Sequence, residues 1–90
     1  SKVRYCSLSL LLMDEAMEAN GVLTEADVKL FHDHMLDGQG VTPTELATLE
    51  FVLNGGGGKY SYVVDDAAKA FLEATIAAER ATLESEGGAR

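Results

Sequence analysis

The sequence predicts an all-α domain of four helices, arranged as two helix-loop-helix hairpins around one core. Three observations indicate this fold. Apolar residues recur at helical spacings in four segments, capping residues or acids begin three of those segments, and glycines separate them. The 90 residues are 47% hydrophobic and 24% charged, which is typical of a globular chain. We predict a single domain over 1–90, with its core between about residues 5 and 83 and a frayed tail at 84–90.

The first predicted helix runs from Tyr5 to Ala19. Its apolar side chains lie on two adjoining helical rows, formed by Tyr5, Leu8 and Leu12 and by Cys6, Leu10, Met13 and Met17. Because so wide an apolar surface needs cover on most sides, we expect this helix to be central in the bundle. Asn20 and Gly21 end it, since both residue types tolerate the left-handed backbone of a helix C-terminus.

Capping motifs begin the second and third helices. In Thr24–Asp27, the threonine hydroxyl can accept from free backbone amides, while the acid three residues later reaches back and complements the helix dipole. Thr42–Glu45 repeats this pattern and adds a proline at the first helical position, where its missing N–H costs nothing. Both motifs therefore predict helix starts.

The spacing of apolar residues identifies the inward faces of these two helices. They are formed by Val28, Phe31 and Met35 in the second helix, and by Leu46, Leu49 and either Val52 or Leu53 in the third. The second helix is predicted to end near residue 37, before two glycines, and the third near Leu53, before Asn54 and four glycines. The four glycines are not a P-loop, because Lys59 is followed by Tyr60, and we interpret them as a mobile connector.

The segment Lys59–Val64 alternates in polarity and is β-prone, but it is long enough for only one rung of sheet. Asp65 and Asp66 then begin a fourth helix, where their charges complement the helix dipole. Its inward residues are predicted to be Ala68, Leu72, Ile76 and Leu83, with Phe71 beside them.

The charge and the single cysteine restrict the function. With 15 acidic and 7 basic residues, the net charge of −8 repels phosphate backbones, so we expect no direct nucleic-acid binding. An acidic surface favours cationic partners, although many proteins are this acidic for solubility alone. Cys6 excludes an internal disulfide and fits a reducing, cytoplasmic location. The apolar run that ends at Met13 is too short to cross a bilayer and lacks a signal-cleavage pattern, so no membrane association is expected.

No complete catalytic or metal-binding motif is present in the sequence. His32 and His34 lie two residues apart and would point about 200° away from each other on a helix, so they cannot share one ion unaided. Cys6 lies in an apolar run with no base placed beside it, and the paired acids Asp65 and Asp66 are explained by the helix dipole. We therefore predict a protein that is not an enzyme and that has no cofactor.

The order of the elements carries a resemblance to a known family. The first and third loops each contain a short β-prone stretch, Gly21–Thr24 and Tyr60–Val63. This pattern resembles a pair of EF-hands, in which two helix-loop-helix units meet through one small antiparallel β-bridge between their loops. With Gly21 at loop position 6, Leu23 takes the bridge position and Asp27 takes the last ligand position.

The resemblance implies a degenerate EF-hand pair that keeps the scaffold and has lost its ions. Ala16 stands at the first ligand position, and Asp27 replaces the final glutamate. Domains of this kind generally serve as protein-binding modules. A weak calcium-responsive module is the alternative, and its ligands in the first loop would be Glu18, Asn20, Thr24 and Asp27.

The function predicted from these observations is that of an adaptor or regulator that binds a basic amphipathic helix in an apolar groove with acidic rims. Its partner-binding residues are predicted to be Met13, Met17, Phe31, Met35 and Phe71, because flexible methionines suit such grooves. The same side chains equally suit an ordinary core. An acidic inhibitor of a nucleic-acid-binding protein is another alternative, and homodimerisation is left open.

Overall fold

The computed structural model describes residues 7–35, 42–56 and 61–85. They form four α-helices, α1 (Ser7–Asn20), α2 (Glu25–Met35), α3 (Pro43–Leu53) and α4 (Asp66–Ser85). Within these ranges the β-structure is limited to one isolated bridge. The all-α prediction is thus confirmed. The predicted positions of Tyr5, Cys6, Lys59 and Tyr60, and the predicted end of the second helix near residue 37, lie outside the described residues.

Both predicted capping motifs are present. At α3, the Glu45 N–H donates to Thr42 Oγ1 at 3.2 Å and the Thr42 N–H donates to Glu45 Oε1 at 2.9 Å. At α2, the Asp27 N–H donates to Thr24 Oγ1 at 3.3 Å and the Thr24 N–H donates to Asp27 Oδ2 at 2.9 Å. Each box satisfies backbone donors that a helix start leaves free, which is why both helices begin one residue after the threonine.

The other helix ends also follow local chemistry. Helix α1 ends at Asn20, and Gly21 follows with a φ of 74°, a left-handed backbone conformation that glycine adopts without strain. Helix α4 continues to Ser85, so the first residues of the predicted frayed tail are helical.

One hydrophobic core joins all four helices and both β-prone segments. It consists of Met13, Leu23, Val28, Phe31, Leu49, Val52, Tyr62, Ala68, Leu72 and Ile76. The helical spacings predicted most of these positions. In α3 the choice between two neighbours is settled, because Val52 is fully buried while Leu53 is only partly buried against the core.

The helices pack in an order that differs from the prediction for the first helix. Helix α1 packs against α2, α3 packs against α4, and α2 packs against α4. Helices α2 and α4 thus each pack against two others, whereas α1 packs mainly against α2, so the expectation that the first helix is central was wrong. The physical reason is that the apolar surface of α1 is not covered on every side. On α1, Leu11 is 55% exposed.

A single β-bridge connects the loop before α2 to the segment before α4. The Leu23 N–H donates to Val63 O at 2.7 Å, and the Asp65 N–H donates to Leu23 O at 3.0 Å. The bridge pairs Leu23 with Val64 and is parallel, so the antiparallel orientation expected from the EF-hand resemblance was wrong. Leu23 and Val64 each stand two residues before a helix, and the two segments run side by side into those helices in the same direction.

Candidate functional site

Two helices of the first hairpin expose leucines beside acidic residues. Leu11 on α1 is 55% exposed and Leu30 on α2 is 62% exposed. Residues three and four positions apart on a helix share a face. Glu15 therefore lies one turn beyond Leu11, and Asp33 lies one turn beyond Leu30, and both acids are exposed. We refer to Leu11, Glu15, Leu30 and Asp33 together as the leucine–acid surface.

The predicted partner-binding residues do not belong to the leucine–acid surface. Met13 and Phe31 are buried in the core, and Met17 and Phe71 pack against it with partial exposure. Met35 ends α2, and its side chain lies outside what the structure describes. The four described side chains thus surround one interior. In this packing, a partner cannot reach Met13 or Phe31 unless the helices separate.

The four residues of the calcium alternative lie at the end of α1 and at the start of α2. Glu18 and Asn20 lie in the last turn of α1, where side chains two residues apart point about 200° away from each other. Asp27 Oδ2 accepts the backbone N–H of Thr24 at 2.9 Å and its hydroxyl at 3.1 Å. The described part of the chain contains no group of three or more His, Cys, Asp or Glu side chains able to hold a metal ion.

A buried cluster of ionisable side chains lies where α2, α3 and α4 meet. His32 Nε2 lies 2.6 Å from Glu79 Oε2, and both side chains are largely buried. Glu45 is as buried as Glu79, at 6% exposure for each residue. Burial is the main cause that raises the pKa of Glu45, and the negative charge of Glu79 raises this pKa further. The hydrogen bonds from the backbone and side chain of Thr42 lower it, and so does the charge of His32. Two acids and one imidazole are thus enclosed within the packing of three helices.

The sequence contained a signal for this cluster that the prediction missed. His32 was considered only as a candidate metal ligand, and Glu45 was interpreted only as a capping acid. Glu79 was not singled out at all. Yet it stands three residues after Ile76 and four before Leu83, on the inward row of α4. An acid at a core position of an otherwise apolar row indicates a buried polar contact.

Tyr62 anchors the segment before α4 to α1. Its hydroxyl donates to Asp14 Oδ1 at 2.8 Å, and its ring packs edge-on against Phe51, with the ring centroids 6.3 Å apart. Burial and the hydrogen bond to Asp14 raise the pKa of Tyr62. A polar atom at the end of a buried aromatic ring usually finds such a partner, and here it holds the two hairpins together.

Comparison with known proteins does not identify a family for this chain. No protein-family model, curated protein or solved structure matches this chain. None of the described helices is both long enough and apolar enough to span a membrane. The function therefore has to be inferred from the chain's own residues.

Proposed function

We propose that this domain is a non-enzymatic protein-interaction module that binds a basic amphipathic helix through the leucine–acid surface. The observation that carries the proposal is the exposure of Leu11 and Leu30, each by more than half. Single exposed apolar residues are common on soluble proteins. Here, however, each leucine has an exposed acid one turn away on its own helix face, which matches a partner that presents leucines flanked by lysines.

The proposed contact with the partner lies on the outer face of the first hairpin and not in the interior, where the sequence had suggested it. Met13 and Phe31 remain as packing residues, because both are buried in the core. Helices α1 and α2 pack against each other, so the two exposed leucines belong to one hairpin. The proposal requires that a partner helix lying across this hairpin covers both leucines and brings its basic residues close to Glu15 and Asp33.

The scaffold proposed for this module is a pair of helix-loop-helix units that resembles degenerate EF-hands. The packing of α1 on α2 and of α3 on α4 supports two hairpins. The parallel direction of the Leu23–Val64 bridge differs from that family. The proposed binding mode depends on the exposed leucines and acids, and it does not require a bound ion.

A synthetic peptide tests the proposal directly. The probe is an 18-residue helix built from leucine and lysine, with leucines at positions i, i+3, i+4 and i+7, and its control is a scrambled peptide of the same composition. Calorimetry should detect binding of the amphipathic peptide and much weaker binding of the scrambled one. The interaction should weaken as sodium chloride is added, because salt screens exposed charges.

Variants separate the apolar and the charged contributions. The double variant Leu11→Gln/Leu30→Gln should lose about tenfold or more in affinity, since burying two leucines contributes at least 1.4 kcal/mol by an order-of-magnitude estimate of roughly 25 cal/mol per Å². Its matched control is Ala70→Gln/Ala74→Gln, which changes two exposed residues of α4 and should bind like the wild type. A double leucine variant that binds as tightly as the wild type would contradict the proposal.

Charge variants with equal net charge complete the design. Glu15→Gln/Asp33→Asn should weaken binding more than Glu73→Gln/Glu84→Gln, because only the first pair lies beside the exposed leucines. If both pairs weaken binding equally and the leucine variant has no effect, the surface attracts cations without a defined site. That result would favour the acidic-inhibitor alternative.

A further inference from the structure

Lys29 is a basic residue at the edge of the leucine–acid surface. It directly precedes Leu30 on α2, and Asp33 lies one turn beyond it, because residues four apart share a helix face. A lysine at this spacing can neutralise the acid, since opposite charges four residues apart on a helix attract each other. The direction in which the Lys29 side chain extends therefore decides how much negative charge the surface offers to a partner.

The Lys29 side chain pairs with Glu25, which lies one turn back on α2. Its Nζ atom is 3.2 Å from Glu25 Oε2. A glutamate four residues before a lysine forms a better pair than a lysine four residues before an acid, because the first order agrees with the helix dipole. Of the two acids within one turn of Lys29, the helix geometry thus favours Glu25 over Asp33.

Helix α4 gives the Lys29 ammonium group a second contact. Nζ lies over the Phe71 ring, 5.9 Å from its centroid, a distance at which the negative face of an aromatic ring attracts a cation. His32 packs edge-on against the same ring, with the ring centroids 6.0 Å apart. Lys29 and His32 are three residues apart and so share the face of α2 that packs against α4. The Phe71 ring thus holds Lys29 on the α4 side of the helix.

The Asp33 carboxylate keeps its charge. It is exposed, and it forms no ion pair with any other residue that the structure describes. The two acids that flank Lys29 therefore differ, because Glu25 is neutralised within its own helix whereas Asp33 faces solvent. Asp33 also lies one turn beyond the exposed Leu30, where a basic partner helix would meet both.

We infer that Lys29 is a positioning residue of the leucine–acid surface: Glu25 and Phe71 hold its charge away from Asp33, which thereby stays available to the basic partner helix. The role of Lys29 rests on the proposed function and adds a determinant of how strongly the same surface attracts its partner. The Phe71 ring then acts on binding through Lys29 and needs no contact with the partner.

Proton NMR of the free domain tests the position of Lys29 without any partner. The ε-methylene protons of a lysine that lies over an aromatic ring resonate upfield of their random-coil position, because the ring current shields them. Phe71→Leu keeps an apolar side chain against the core and removes the ring, so the Lys29 resonance should return to its random-coil position. The same resonance position in the wild type and in Phe71→Leu would contradict the contact.

A double-mutant cycle with the leucine–lysine peptide tests the effect on binding. Glu25→Gln releases Lys29 toward Asp33, so calorimetry should show binding about twofold weaker than for Glu73→Gln, which removes an equal charge from the exposed face of α4. In a Lys29→Gln background the two glutamate variants should differ less, because no lysine remains to be released. An equal effect of Glu25→Gln with and without Lys29 would overturn the inference.

The outcomes distinguish the role of Lys29 from the proposed function. If the wild-type domain does not bind the peptide, the proposed function fails, and the role of Lys29 in binding fails with it. If the wild type binds and Leu11→Gln/Leu30→Gln weakens binding, but Glu25→Gln acts alike with and without Lys29, only the role of Lys29 is wrong. A loss for Glu25→Gln that depends on Lys29, together with the upfield resonance, supports both.

Discussion

Tyr62 Oη donates a 2.8 Å hydrogen bond to Asp14 Oδ1 and so fastens the segment before α4 to helix α1. These residues are separated by 48 positions in the chain. Together with the bridge between Leu23 and Val64, this contact ties the first hairpin to the segment before α4.

Removing the Tyr62 hydroxyl should destabilise the domain moderately. Tyr62→Phe keeps the ring in the core and deletes the bond to a carboxylate, so the free energy of unfolding should fall by about 1 to 2 kcal/mol. Urea denaturation at neutral pH measures this change. A loss below about 0.3 kcal/mol would show that water replaces the hydroxyl at Asp14 without cost.

The same tyrosine predicts a loss of stability in alkali. The pKa of Tyr62 is raised above its ordinary value of 10.0, first by burial and then by the hydrogen bond to Asp14. Its contribution to stability is therefore complete below that ordinary value and is lost as the pH rises through the folded-state pKa. From pH 9 upward, the melting temperature of the wild type should fall more steeply with pH than that of Tyr62→Phe. The difference in slope should correspond to about one proton released on unfolding. Parallel curves would contradict this role.

Two glycines with similar backbone angles should respond differently to alanine. Gly21 and Gly56 have φ values of 74° and 65°, so alanine is strained at either position, by roughly 1 to 2 kcal/mol. At Gly56, however, the new Cβ would lie 2.5 Å from Tyr62 Cδ2, whereas at Gly21 it meets nothing within 4 Å. Gly56→Ala should therefore cost about 1 to 3 kcal/mol more than Gly21→Ala in urea denaturation. Equal losses would place the Tyr62 ring elsewhere.

The adjacent residues Leu30 and Phe31 distinguish surface from core. Phe31 is fully buried, whereas Leu30 is 62% exposed. Phe31→Ala should lower the free energy of unfolding by about 3 to 5 kcal/mol, and Leu30→Ala should change it by less than about 0.5 kcal/mol. The comparison also tests whether Phe31 belongs to the core and Leu30 to the surface, which the binding proposal requires. Similar losses of stability for the two variants would contradict the orientation of α2, which buries Phe31 and exposes Leu30.

Local sequence signals predicted the helix boundaries well because those signals act over a few residues. The capping boxes at Thr24 and Thr42 are complete within four positions, so the chain forms them whatever surrounds them. The apolar spacing likewise identified Phe31, Leu49 and Ile76 as core residues. These features depend on which side chains share a helix face, which the sequence states directly.

Several features that depend on distant parts of the chain were not predicted. The apolar width of the first helix suggested a central position, but α2 and α4 are the helices that each pack against two others. The direction of the Leu23–Val64 bridge depends on how two loops approach each other, which residue spacing does not encode. The partnership of Glu79 with His32 spans 47 positions, and neither residue alone indicates the other.

The binding proposal is tested most directly by mapping the bound peptide on the nitrogen-15-labelled domain. When the leucine–lysine peptide is added, backbone amide shifts should change around Leu11, Glu15, Leu30 and Asp33, and they should change little in the middle of α3. Shift changes confined to α3 and α4, or no changes at peptide concentrations that saturate the calorimetric signal, would contradict the assignment of the partner site to the first hairpin.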